Sequence, residues 1–235
     1  MGDELTRIQQ RRIEWSSAFR LIPSRFPPVE LYEPIAPKED WDALKRIEAL
    51  TNPRLLSGAG FLLSEDQGKI DQNWLIAPFA YPDPEPSSYS DGSYGFSIVA
   101  ESLHSALLFA IQRREAFLKR TREGPIRLVM RTLKVKMKAR LADMSHLEES
   151  DPYLRTLVKE YRVAKSHGVL IKGPRGKSDR LAIILRPTAF VPPAVQAEHY
   201  CFLWNGERIH QIFAFPDTKV IDPKDLVGAT SHTAA

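Results

Sequence analysis

Cysteine is almost missing from this chain: among 235 residues Cys201 stands alone. That excludes an internal disulfide framework and fits a reducing compartment. No stretch of 18 apolar residues occurs, and no charged-then-apolar segment opens the chain. Neither a membrane-spanning helix nor a secretory leader is therefore expected, and the expected location is the cytoplasm. Charge of one sign is lacking too. Lys and Arg number 33 against 29 Asp and Glu, a formal +4. So small an excess fits an anionic small molecule or an acidic protein as well as a nucleic acid. The six histidines, at 104, 146, 167, 199, 210 and 232, show no metal-ligand spacing, and a single cysteine makes no zinc site.

Familiar phosphate and nucleophile motifs are absent as well. Gly173 to Ser178, GPRGKS, ends like a phosphate-binding loop, but the position of its first glycine holds Ile171. A strand pattern rather than a helix follows, which leaves no helix N-terminus for a phosphate. Ser93 sits in GSYG, not in a nucleophile elbow. No G-x-G-x-x-G follows a strand pattern.

What is present centres on Ser88 to Thr121, SYSDGSYGFSIVAESLHSALLFAIQRREAFLKRT. A Gly/Ser/Asp turn leads into a short apolar run, Phe96 to Ala100, which reads as a buried strand. From Leu103 a helix is expected, with Leu103, Ala106, Leu107, Ala110, Ile111, Phe117 and Leu118 forming one apolar stripe. Phe109, at roughly 100° per residue, lies nearly opposite the centre of that stripe. It needs a second packing surface, or else this face of the helix lines a pocket.

Around this centre the pattern predicts a polar helix over residues 3–17 and a short strand from Phe19 to Ile22. SRFPPVELYEP is proline-rich and extended, and a helix follows over about Asp40–Thr51. Residues 64–90 read as a long irregular connection around the apolar piece Trp74–Phe79. A strand is expected over 126–141, where Leu133, Val135, Met137, Ala139 and Leu141 alternate with Lys134, Lys136, Lys138 and Arg140. That basic face is either solvated, with lysines guarding a sheet edge, or placed to touch phosphates. A helix over 152–166 and strands at 168–171, 180–186, 199–204 and 208–214 complete the reading. The domain plan is an N-terminal segment 1–18, one domain 19–215 and a loosely attached tail 216–235. The fold class is α+β, with a mixed sheet and flanking helices.

SYSDGSYGFSIVAES before a helix, SSAFRLIPSRFPPVELYE upstream and KSHGVLI…LAIILRP downstream together resemble the RES domain family. The resemblance spans about Phe19 to Arg208. It implies an ADP-ribosyltransferase-like fold and a toxin of a bacterial toxin–antitoxin pair that attacks NAD, by glycosidic cleavage, phosphorolysis or ADP-ribosyl transfer. The implied partner is an Xre-type helix-turn-helix antitoxin, with a homo-oligomer also open. A membrane or direct nucleic-acid partner is not expected, and NAD is substrate or ligand rather than a required cofactor.

Arg25, in SRFPP, matches the family's arginine segment, and a guanidinium fork suits a pyrophosphate. Phe26, Tyr89, Ser90 and Tyr94 are the further NAD-binding candidates. Three other chemical positions are changed. The family's helix glutamate falls on Phe109, an arginine on Ser88 and a serine on Gly173. Cleaving the nicotinamide–ribose bond builds positive charge on the sugar, which a nearby carboxylate stabilises and a phenylalanine does not. Glu48 is the first candidate to substitute for it, ahead of Glu101 and Glu115. The expectation is therefore an NAD-directed scaffold with weakened or lost catalysis, or alternatively a non-catalytic binding or regulatory module. A basic nucleic-acid binder is the weaker third reading.

Overall fold

The protein is known from a computed structural model, which describes residues 8–24, 37–40, 43–44, 46–47, 73–215 and 220–221. Among these residues eight strands form one mixed sheet: β1 (Gln10–Pro23), β2 (Ser97–Ala100), β3 (Ile126–Asp143), β4 (Gly168–Gly173), β5 (Gly176–Ile184), β6 (Phe190–Trp204), β7 (Ile209–Phe215) and β8 (Val220–Ile221). The helices are α1 (Asn73–Ala80), α2 (Leu103–Arg120) and α3 (Leu154–Val163). The expected α+β class with a mixed sheet and flanking helices is what the chain adopts.

β3 organises the sheet. Its outer part, Met130 to Ala142, pairs antiparallel with β1, while its other edge takes β6 from Ile126 to Met137 and then β4 in parallel from Leu141 to Asp143. β4 pairs β5, β5 pairs β2, and β2 returns to β1 through Phe19 and Ala100. Five strands thus close into a ring, and β6, β7 and β8 extend beyond it. The single parallel step needs a crossover, which α3 supplies between β3 and β4.

The expected polar helix over 3–17 is corrected: residues 10–17 are strand, and 1–7 lie outside the described residues. The reason is a two-residue period hidden among polar side chains. Ile13 and Trp15 are buried between exposed Arg12, Glu14 and Ser16, and a register shift between Trp15 and Ala18 then brings Ala18 inward. A second correction falls in the connection over 64–90, where residues 73–80 are helical. The mostly apolar sequence NWLIAPFA lays Leu75 and Phe79 into the core between Ile13, Trp15 and Val99. The alternation along β3 is as expected, but Lys134 to Arg140 do not guard an edge, because β3 has strands on both sides. Residues 43–44 and 46–47 are helical, within the expected 40–51 helix.

α2 packs Leu107, Leu108, Ile111 and Leu118 against Met130, Tyr200, Phe202, Trp204 and Ile212 of β3, β6 and β7. The Ser102 hydroxyl caps its start by accepting from the Ser105 N–H at 3.1 Å, and the Thr121 hydroxyl donates to the Phe117 carbonyl at 3.1 Å. GPRGKS forms the tight turn between β4 and β5, consistent with its failure as a phosphate loop.

Candidate functional site

Apolar residues on opposite sides of α2 do different work. Leu107, Ile111 and Leu118 enter the core, while Phe109, Ala110, Arg113, Ala116, Phe117 and Arg120 form one wall of a cleft of about 680 Å³. Phe117, 45% exposed, therefore leaves the expected core stripe, while Ala110 borders the cleft and still packs against the core. Further lining comes from β1, from β2 with the residue before it, and from β3: Phe19, Arg20, Leu21, Phe96, Ile98 and Met130. A volume of this size suits a ligand of nucleotide dimensions.

Arginines dominate the polar lining. Arg20, Arg113, Arg114 and Arg120 border the cleft, against Asp83 as its one acidic residue among those described. Arg113 pairs with Glu149 at 3.8 Å and Arg120 with Glu85 at 3.2 Å, both on the exposed rim. Arg20 is different. It is half-buried, its Nη1 donates to the Ser97 hydroxyl at 3.3 Å, and no carboxylate among the described residues pairs with it. Burial pushes its pKa down to about 10, so it stays charged at neutral pH while short of solvation. A desolvated guanidinium facing a cleft is well placed to receive an anion. Sequence reasoning passed over Arg20 because it lay within a strand expected to run only from Phe19 to Ile22, with no pattern to show which face it would take.

A second cavity, of about 180 Å³, adjoins the first. Phe109 and Leu181 border both, so the phenylalanine is a partition between them. The smaller space is lined by Tyr89, Gln112, Glu148, Glu149, Lys172 and Gly173, among others. The structure thus brings together Phe109, Tyr89 and Gly173 of the sequence candidates.

The remaining candidates lie differently. Arg25, Phe26 and Glu48 fall outside the described residues. Tyr94 is buried and borders neither cavity; its hydroxyl donates to the Tyr89 carbonyl at 2.6 Å. Ser90 is buried and donates to the Tyr94 carbonyl at 2.8 Å, and Ser88 is half-buried in the same loop. These contacts hold the SDGSYG turn together. Gly92 has φ +88°, and a Cβ on Gly95 would come within 2.1 Å of the Pro78 carbonyl oxygen. From outside, Lys159 pairs with Asp91 at 2.6 Å and Arg155 donates to the Ser87 carbonyl at 2.6 Å.

The tyrosines' acidity reflects this enclosure. Burial, together with Glu149, pushes the Tyr89 hydroxyl upward, and burial with Asp91 does the same for Tyr94. Neither is poised as a base. Glu101 and Glu115 are engaged elsewhere: Glu101 makes a two-pronged ion pair with Arg180, and Glu115 accepts from the Ile209 N–H at 2.7 Å. No group of three or more His, Cys, Asp or Glu able to hold a metal occurs among the described residues.

Gly173 has a packing reason of its own. A Cβ there would lie 2.5 Å from the Asp179 Cβ, and Asp179 is buried against Arg175. A serine at this position needs β5 to shift.

The closed sheet, α2 and the basic cleft define an α+β protein with a concavity lined by arginines and aromatic rings. No family model matches the sequence. Over 219 residues it is 36% identical to a protein of Sinorhizobium fredii (strain NBRC 101917 / NGR234) described as "Uncharacterized protein y4oC", covering 90% of this chain and 93% of the relative. The chain belongs to the family of that protein.

Proposed function

We propose that this protein is a RES-like, NAD-directed scaffold whose cleft receives an anionic nucleotide and whose bond-cleaving activity is reduced to a remnant. The observation that carries the reading is the cleft along α2, where arginines surround an aromatic and apolar floor and Phe109 holds the place of the glutamate that the resemblance implies. Arg20 and Arg113 would hold the phosphates, and Phe19, Phe96 and Phe117 offer surfaces for a base or nicotinamide ring. A positive charge developing on a ribose in this cleft would meet phenylalanine and arginine rather than a carboxylate. Losing a positioned acid or base costs roughly 10²–10⁴ in rate.

The biological setting of the proposal is a toxin–antitoxin pair in the cytoplasm, with a helix-turn-helix antitoxin as partner. Among the described residues no helix is long and apolar enough to cross a membrane. A non-catalytic copy that retains its binding surfaces could still titrate such an antitoxin.

Incubating the purified protein with NAD and following its consumption tests the chemistry. The expected result is turnover barely above the uncatalysed rate. Rapid NAD loss that Arg20→Ala abolishes would overturn the degenerate reading. Co-expression with the neighbouring gene product, followed by size-exclusion chromatography, tests the partner; separate elution at micromolar concentration counts against the toxin–antitoxin setting.

A further inference from the structure

The two cavities bordered by Phe109 differ in charge: among the described residues arginines outnumber acids in the larger, and glutamates outnumber the one lysine in the smaller. On one side stand Arg20, Arg113, Arg114 and Arg120 with Asp83; on the other stand Glu148 and Glu149 with Lys172, which pairs with Glu148. Glu149 lines the smaller space together with Phe109 and pairs with Arg113 of the larger one at 3.8 Å. A ligand with two phosphates and a cationic ring would be served best by both spaces at once, phosphates among the arginines and ring beside the glutamates. The Phe109 side chain stands between them. Confined to the larger cleft, the cationic ring would lie among guanidinium groups, and like charges brought together without solvent repel.

We propose that Phe109 is a specificity-determining partition, and that the cleft prefers nucleotides carrying diphosphate but no positive charge, binding those with a cationic ring more weakly. The inference rests on the nucleotide reading of the cleft and refines which nucleotides it takes. NAD⁺ and NADH make the comparison sharp, since they share size and phosphates and differ mainly in ring charge, while ADP-ribose lacks the ring altogether. Opening the partition should let the cation reach Glu149.

Isothermal titration of the wild-type protein with ADP-ribose, NADH and NAD⁺ tests this. ADP-ribose and NADH should each bind about tenfold or more tighter than NAD⁺. In Phe109→Ala the NAD⁺ affinity should rise about tenfold, and adding Glu149→Gln should remove that gain. A thermal melt of each variant establishes that it folds, and the wild-type series decides the matter should Phe109→Ala fail to. NAD⁺ binding as tightly as NADH to the wild type would overturn the partition while leaving the nucleotide site standing. Failure of all three ligands to bind would overturn both.

Discussion

Gly173 and Asp179 show how one atom can close off a chemistry. The Asp179 carboxylate takes the Arg175 guanidinium at 2.5 and 2.9 Å and the Arg175 N–H at 3.2 Å, directly against the glycine. Gly173→Ser places a Cβ where Asp179 already stands, and we expect it to destabilise by about 1–3 kcal/mol, the usual cost of overpacking. Urea unfolding measures this, and a neutral outcome would mean that β5 yields easily. The same carboxylate predicts a pH dependence. Burial pushes the Asp179 carboxyl up, but Arg175 and the Ser105 hydroxyl outweigh it and leave the group below its ordinary value. A depressed folded-state pKa stabilises fully above the unfolded value, near 4 for an aspartate, and the contribution fades as pH falls through the folded value. Asp179→Asn should therefore cost about 3 kcal/mol at pH 7 and progressively less below about pH 4. Equal losses at pH 7 and pH 3 would show that the pair is not the source.

Among the elements, α2 joins core to cleft. Leu107, Leu108, Ile111 and Leu118 bind it to β3, β6 and β7, while Phe109, Arg113 and Arg120 face the cleft. Ile111→Ala removes a buried side chain on the core side and should cost about 2–5 kcal/mol. Arg120→Ala, at an exposed rim pair, should change stability by less than about 1 kcal/mol while weakening binding of an anionic ligand. If both variants lose stability alike, the division of α2 into two faces is wrong. α3 has the complementary task of holding the SDGSYG turn through Lys159 and Arg155. These contacts join segments 68 residues apart, and no local pattern announces them.

For the molecule as a unit, the ring through β1, β2, β5, β4 and β3 is the feature that most shapes stability. β3 is hydrogen-bonded on both edges, whereas β8 is a two-residue strand at the end of the order. Native-state hydrogen exchange should find the slowest amides in β3 between Met130 and Leu141 and fast exchange at Val220 and Ile221. Fast exchange along β3 would contradict a closed ring.

Much of this arrangement was legible in local pattern. The apolar run before α2, the helix itself and the alternation on β3 are periodic signals long enough to survive any packing, because burying one face requires them. The position of Phe109 away from the apolar stripe was equally visible. Three things were decided only by tertiary structure. β1 looked helical because its inward residues are few, and β3 had to lie beside it before period two prevailed. Phe117 left the stripe because the sheet covers only part of α2 and leaves a cleft over the rest. Arg20 became the desolvated cation of that cleft because closing the ring at Phe19 and Ala100 sets it beside Ser97, a neighbour 77 positions away. Periodicity records which face of an element avoids water; which distant element covers that face depends on how the strands close.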